Sequence, residues 1–542
     1  MDRGRRGTQK LLTMKSNYVL SFFLLLKISL QFLLVHPDFD LQRDEFLHLD
    51  QADHLAWGYL SVPPVTSWIS LLIRFLGNDE FWVRLMPALI GGLTLLVVWK
   101  TVEALGGNLF ARSLSAIALI FSVMARLNIL FQPNSMDILC WTLVLFTMVR
   151  YFQTEQSKWI YLLALSFAFG FLNKYNIAFL GLGLLPALIL TSQRSIFSNR
   201  HLYFALILAL LLISPNLYWQ WENGFPVLFH MQELTKHQLV NMERSGFLKE
   251  QLLYFYPSIF VLLGGLIGIL RAKEFKNFRF LFWTVVFTLA IFTWFQAKGY
   301  YAIGLYPILL AFGSVWIERL LNKTSASDSV ILTEERNLPF WKKILKPAIL
   351  IIPPLLFLPT FDLIHPVYSP DRMMKDPPAY AKLGLNRWED GKVHPIPQDF
   401  ADMLGWSELA NLVDSAYLMM PKYGRTMILC GNYGEAGAIN YYSKIPELEA
   451  LTTNADYLYW FDLEEPVKNL ILVRVDDEPI TERELGFFTE YREIGRITHP
   501  LSMEKGTTVH FLRGATTNLN AILKEEIAEE KAKISGKGSI HN

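Results

Sequence analysis

The sequence predicts an α-helical polytopic membrane protein of about 11 transmembrane helices, with a C-terminal extracytoplasmic α/β domain. Three observations predict it. First, 52% of the 542 residues are hydrophobic and 18% are charged, at a mean hydropathy of +0.27, a balance that soluble proteins rarely carry. Second, apolar runs close to the roughly 20 residues that cross a hydrocarbon core recur along the first two thirds of the chain. Third, beyond residue 362 charged and turn-forming residues become common and short β-prone runs appear.

Met1 to Lys15 is basic, with Arg3, Arg5, Arg6, Lys10 and Lys15, and the apolar run after it has no small-x-small cleavage site. It reads as a retained first transmembrane helix. The expected spans are 17–35, 81–102, 112–131, 136–152, 159–173, 175–191, 202–221, 251–270, 279–296, 300–320 and 344–362. The run 67–76 is short and follows Pro63-Pro64, as expected of a helix lying along the membrane surface. Only Lys174 separates 159–173 from 175–191, which leaves a re-entrant pair open. Arg150 with Lys158, Arg194 with Arg200, the run Arg271 to Arg279, and Lys342 with Lys343 mark cytoplasmic loops if the N-terminus is cytoplasmic. The 43–64 loop, the 222–250 loop, the Lys298 turn and, for an odd span count, the C-terminal region then lie outside.

In that last region Thr426–Cys430, Asp456–Trp460 and Leu470–Val475 read as strands, and Tyr433–Tyr442 as a helix. Gly431-Asn-Tyr-Gly434 lacks the third glycine of a nucleotide-binding turn and implies no cofactor. Residues from 523 are Glu/Lys/Ala-rich, then Gly/Ser-rich, as in an exposed helix with a disordered tail. The expected organisation is 1–362 in the membrane, 363–522 as the α/β domain and 523–542 as helix and tail. The net charge of +1 implies no nucleic-acid partner. Cys140 and Cys430 support neither a disulfide framework nor a cysteine zinc site. There is no Walker loop, zinc-ligand helix or voltage-sensor charge pattern.

The stretch from Arg43 to Pro64 concentrates candidate chemistry. Asp44 and Glu45 are adjacent carboxylates just past the first span, placed for one to act as a base at the membrane surface. Asp137 follows Gln132-Pro-Asn-Ser135. His230, Glu233, Lys236, His237, Arg244 and Lys249 occupy the 222–250 loop, and Lys298-Gly-Tyr-Tyr301 a tight turn. Carboxylates early and cations late are what transfer from a phosphate-activated donor requires: the base takes the acceptor's proton and the cations stabilise the departing phosphate.

These stretches resemble, in order, those of the bacterial glycosyltransferase family 39-type enzymes, relatives of the protein O-mannosyltransferases and of the lipid A aminoarabinose transferase, with the GT-C fold. The resemblance rests on Asp44-Glu45, Leu55-Ala-Trp-Gly-Tyr59 through Pro63-Pro64, Phe81-Trp-Val-Arg84-Leu-Met-Pro87, Pro133-Asn-Ser-Met-Asp137 and Asn173-Lys174-Tyr175. It continues through Pro215-Asn216-Leu-Tyr-Trp219, Glu222-Asn223-Gly224-Phe225-Pro226, Lys298-Gly-Tyr-Tyr301 with Tyr306-Pro307, and Tyr433-Gly434-Glu-Ala-Gly437. It implies a multi-pass protein of the bacterial inner membrane with an extracytoplasmic active site. The donor would be a polyprenyl-phosphate sugar, the acceptor hydroxyl would belong to a lipid, protein or glycan, and the anomeric carbon would invert. Asp44 would be the base, with Glu45 and Asp137 as further catalytic residues, and Lys236, Lys298 and Tyr301 would bind the donor phosphate. His54, Tyr59, Lys174 and His230 complete the set as substrate-binding candidates. Ser61-Val62 stands where the aminoarabinose transferase has Glu-Lys, so one phosphate-binding lysine is missing. The donor sugar and a divalent metal stay open.

Each assignment has a plainer counterpart. Asp44 can simply solvate a loop, while Glu45 and Asp137 can cap helices. Lys174 can face water, and Tyr301 can belong to an interfacial aromatic belt. His48, His54, His230 and His237 show no i, i+4 pair in one clear helix, the spacing a helical metal site would use. A lipid-linked-sugar flippase is the alternative function; it predicts mid-membrane ionisable groups, of which Lys27 is the main one. A sensor with a ligand-binding 363–542 region would leave Asp44-Glu45 without a role.

Overall fold

A computed structural model of the chain describes residues 2–237, 243–323, 340–375, 379–421, 424–476 and 480–534. The expected tail at 535–542 and the side chains of His237, Lys342 and Lys343 lie outside the described residues. Contacts group the chain into two compact units. One comprises Met1–Leu34, Arg84–Pro215 and Lys236–His365; the other comprises Val35–Val83, Asn216–Thr235 and Pro366–Asn542. The grouping is discontinuous, whereas the sequence suggested consecutive blocks of 1–362, 363–522 and 523–542. Two segments from among the apolar spans, 35–83 and 216–235, belong with the C-terminal one.

Among the described residues, 7 helices are long and apolar enough to cross a membrane: Met14–Leu33, Glu80–Ala104, Pro133–Thr154, Arg200–Glu222, Lys273–Trp294, Gly299–Asn322 and Ile344–Ile364. Two bent pairs raise the count to 9. They are Ile177–Ile189 with Ser192–Ser198, bent by 106°, and Arg244–Leu253 with Tyr256–Arg271, bent by 60°. Among the described residues the count is thus 7 to 9, and the expected 11 is not confirmed. Expected span 112–131 is broken: the helix Leu109–Ile120 ends at Phe121 (φ −93°, ψ 60°), and a single turn, Met124–Leu127, follows. At 12 residues it covers about 18 Å, short of a core of about 30 Å. Expected span 159–173 is the 14-residue helix Lys158–Phe171. Hydropathy registers apolar content but not a break in the hydrogen-bonded ladder.

Within the first unit, the helices Ile259–Arg271 and Tyr306–Lys323 pack backbone to backbone. A Cβ on Gly265 would run into the Leu309 carbonyl, and one on Gly313 into the Val261 carbonyl. Small residues give membrane helices this close approach. Lys27 is fully buried, and its ammonium donates to the Met124 carbonyl at 2.9 Å. The mid-span charge thus closes a helix break rather than lining a path.

The second unit holds a five-stranded sheet of order β2-β1-β3-β5-β4, with β1 Arg425–Leu429, β2 Ala450–Leu451, β3 Val467–Arg474, β4 Phe488–Arg496 and β5 Thr508–Ala515. β1 pairs in parallel with β2 and β3, while β5 is antiparallel to both β3 and β4. Two of the expected strands are β1 and β3. The third, Asp456–Trp460, is instead a 3-10 turn, Ala455–Tyr459, opened by Ala455 at φ +55°. Its alternating aromatics mimic a strand but bury Asp456 and Tyr457 together. The helix Tyr433–Tyr442 is as expected and connects β1 to β2. The helix Leu519–Ile534 is docked: Leu519, Leu523 and Ile527 join Met427, Leu470 and Leu512 of the sheet in one apolar cluster.

Candidate active site

In the second unit the Arg43–Asp50 helix is fixed at its start by a capping box. The Gln42 side-chain oxygen accepts from the Asp44 N–H at 2.9 Å, and the Glu45 carboxylate accepts from the Gln42 N–H at 2.7 Å. Glu45 is 1% exposed. Of the two adjacent acids, Glu45 caps the helix, and Asp44, partly exposed, points elsewhere.

Asp44 meets the Tyr433–Tyr442 helix. The Tyr433 hydroxyl donates to Asp44 Oδ1 at 2.7 Å, and Arg43 donates to that hydroxyl from Nη2 at 2.8 Å and from Nε at 3.1 Å. The Arg43 guanidinium also lies over the Tyr433 ring, 4.8 Å from its centroid. The stretch Tyr433-Gly-Glu-Ala-Gly437 owes its composition to this packing. A Cβ on Gly434 would collide with the Arg43 stem, and one on Gly437 would stand 2.6 Å from Phe46 Cβ. Glu435 closes a second capping box, with Asn432. Burial pushes Glu435 up to about 8, helped by the charge of Glu504.

The same unit places the other loop candidates. Asp50 accepts from the Tyr457 hydroxyl at 2.5 Å and from Asn440 Nδ2 at 2.7 Å, and burial raises it to about 7. His54 stacks on Trp460, centroids 4.1 Å apart, and burial lowers its pKa. Tyr59 is a loop anchor: its hydroxyl donates toward the Gln51 and His54 carbonyls, each at 3.2 Å, and accepts from the Ala56 N–H at 3.2 Å. His230 is half-buried on the helix Pro226–His237; Lys236, exposed in the last turn of that helix, is grouped with the first unit.

The first unit gathers Asp137, Lys174, Lys298 and Tyr301. Asp137 lies within the helix Pro133–Thr154, whose N-cap is Gln132, so it is not the cap. Its Oδ1 accepts from Trp141 Nε1 and its Oδ2 from Asn176 Nδ2, both at 2.9 Å. Asn176 also donates to the Tyr301 carbonyl at 2.9 Å, tying this helix to the Gly299–Leu305 turn. Lys174, in the turn between Lys158–Phe171 and Ile177–Ile189, donates to Asn134 Oδ1 at 2.7 Å. Its ammonium stands 4.7 Å from the Tyr301 ring centroid and 5.1 Å from that of Tyr300. Burial pushes Lys174 down to about 8; Asp137 pulls it back, and the Lys298 charge pushes it further down. An ammonium beside two tyrosine rings, with a second lysine charge acting on it, suits an anion. The sequence reading named Lys174, Lys298 and Tyr301 but missed Asn134, Asn176, Arg43 and Tyr433. Asn134 lies inside the Pro133–Asp137 stretch and Asn176 just past Asn173-Lys174-Tyr175, and their only signal was proximity to Asp137 and Lys174 in the chain. Among the described residues, no three His, Cys, Asp or Glu side chains gather as metal ligands.

Residues 61–219 match the family described as dolichyl-phosphate-mannose-protein mannosyltransferase. No curated protein matches the chain in a sequence search. Among solved structures, the fold is similar to that of ArnT from Cupriavidus metallidurans bound to undecaprenyl phosphate. The TM-score is 0.58 at 16% identity, over 93% of this chain and 98% of that one. The apo form of the same protein aligns with a TM-score of 0.59 at 16% identity, over 92% of this chain and 98% of that one. These findings bear out the resemblance to the GT-C membrane glycosyltransferases.

Proposed function

We propose that this chain, having the fold of the GT-C membrane glycosyltransferases, transfers a sugar from a polyprenyl-phosphate donor to an acceptor hydroxyl at the outer face of a bacterial inner membrane. Asp44 takes the acceptor's proton. The acceptor oxygen then bonds to the anomeric carbon from the face opposite the phosphate, inverting it. The bond from that carbon to the phosphate oxygen breaks, and its electron pair leaves with the polyprenyl phosphate. Lys174 and Lys298 stabilise that charge, with Tyr301 as a wall and Lys236 as a further contact. Asp137 keeps Lys174 charged in its half-buried setting.

The Lys174–Lys298 pair is the observation that carries this reading. Lys174 is lowered to about 8 by burial first, and the like charge of Lys298 adds to that; an anion bound there offsets both. The likeness to a protein solved with undecaprenyl phosphate makes a lipid phosphate the natural anion.

The test is transfer by the purified protein from a panel of radiolabelled polyprenyl-phosphate sugars, with membrane extract as acceptor. Asp44→Asn is expected to lower transfer by about 10²- to 10⁴-fold while the protein stays folded. Undiminished transfer in Asp44→Asn would remove the base. Absence of transfer from every donor in wild type would favour the flippase.

A further inference from the structure

We propose that Tyr433, backed by Arg43, is the positioning residue that holds the Asp44 carboxylate ready for proton removal. The proposal rests on the reading of Asp44 as the base and gives the sheet-bearing region a part in the chemistry.

The arrangement is a clamp. Arg43 and Asp44 are consecutive, and both reach the same phenol oxygen. Arg43 donates to it twice, at 2.8 and 3.1 Å, and it donates in turn to Asp44 Oδ1 at 2.7 Å. An oxygen that accepts from a guanidinium has its proton directed toward the carboxylate. Hydrogen bonds to charged groups are the strong ones, and here both ends of the chain are charged. The phenol does not compete as a base: burial, then the neighbouring Asp44 charge, hold it well above its ordinary value. One oxygen of Asp44 is thus pinned and the plane of the carboxylate is set.

The clamp is built in from both sides. Tyr433 is the first residue of its helix, directly after the Asn432 cap. That helix leaves the carboxyl end of β1, the strand flanked in parallel by β2 and β3. Open sheets with parallel strands place working residues at that end. Gly434 leaves the room that the Arg43 stem fills, and the stacked guanidinium keeps the phenol from turning away. A phenylalanine at 433 would fill the same space without the hydroxyl.

The experiment compares steady-state transfer by wild type, Tyr433→Phe, Asp44→Glu, Asp44→Asn and the double variant Tyr433→Phe/Asp44→Glu, in the full-length protein. Tyr433→Phe is expected to lower kcat about tenfold or more while the donor KM stays within about twofold. The double variant is expected to lose no more than Asp44→Glu alone, since Tyr433 acts through the carboxylate that substitution has moved. An unchanged kcat in Tyr433→Phe, or full multiplication of the two losses, overturns the proposal while Asp44 stands as base. Full transfer by Asp44→Asn overturns the base and the clamp together. If Tyr433→Phe does not fold, Arg43→Lys carries the test. Lysine keeps the charge but lacks the forked donors, so the same loss of kcat at constant KM is expected, and wild-type kcat there overturns the proposal.

Discussion

Asp44 and Glu45 are the same chemistry one residue apart, and the fold divides them by direction. Glu45 points back along its helix axis to the Gln42 N–H, whereas Asp44 points out to Tyr433. The acidic pair was legible in the sequence; the division was not. A glutamine N-cap is an unusual partner in a capping box, and the partner of Asp44 is 389 residues away. At this scale Lys174 makes a sharp prediction. Its ammonium, lowered to about 8, loses its proton as pH rises through that value. The donor KM is therefore expected to climb above about pH 8 in a KM-against-pH series. Lys174→Met should raise the donor KM by roughly 10- to 100-fold at neutral pH and flatten that climb. A climb that survives the substitution would assign it to another group.

Long apolar helices were legible because their composition exceeds any soluble alternative. Their breaks were not, because Phe121 and the turn before Tyr256 lie inside equally apolar runs. Strands β1 and β3 were legible as β-branched runs, while β4 was missed. Phe488–Arg496 carries Glu490, Arg492, Glu493 and Arg496 on the sheet edge, where charge guards against pairing with another chain and hides the alternation. The element most sensitive to one methyl group is the Tyr433–Tyr442 helix against Arg43–Asp50. A Gly437→Ala methyl would stand 2.6 Å from Phe46 Cβ and 2.7 Å from the Tyr457 hydroxyl, which is overpacking at a cost of about 1–3 kcal/mol. A lowered midpoint in thermal unfolding of the detergent-solubilised protein would show it; an unchanged midpoint would mean that the two helices separate freely.

For the whole molecule, the acids that burial raises in the second unit include Asp50, to about 7, Asp402 and Glu435, to about 8, and Asp456, to about 6. Unfolded, they would titrate near their ordinary values of 3.8 and 4.5. Between about pH 4 and pH 8 the folded state therefore holds more protons than the unfolded chain, and stability falls as pH rises across that window. Thermal unfolding is expected at a higher temperature near pH 5.5 than near pH 8.5, with Asp50→Asn reducing the difference. A midpoint that instead rises with pH would show these carboxyls ionised in the fold. The sequence displayed these acids but not their burial, which depends on segments distant in the chain. Domain boundaries read from composition were hidden for the same reason: 35–83 and 216–235 are polar or mixed stretches whose partners follow much later.

That discontinuity sets a timetable for biosynthesis. Asp44 and Tyr433 are 389 residues apart, so at roughly 5–20 residues per second the ribosome makes the first about 20–80 s before the second. For that interval the Arg43–Asp50 helix has no Tyr433–Tyr442 helix to bury Phe46 against, while the intervening membrane helices are inserted one after another. The second unit can close only after its last strand, ending at Ala515, has been made. A chain that stalls before Tyr433 leaves Asp44 without that partner, and on the proposed reading this ties the onset of activity to late synthesis.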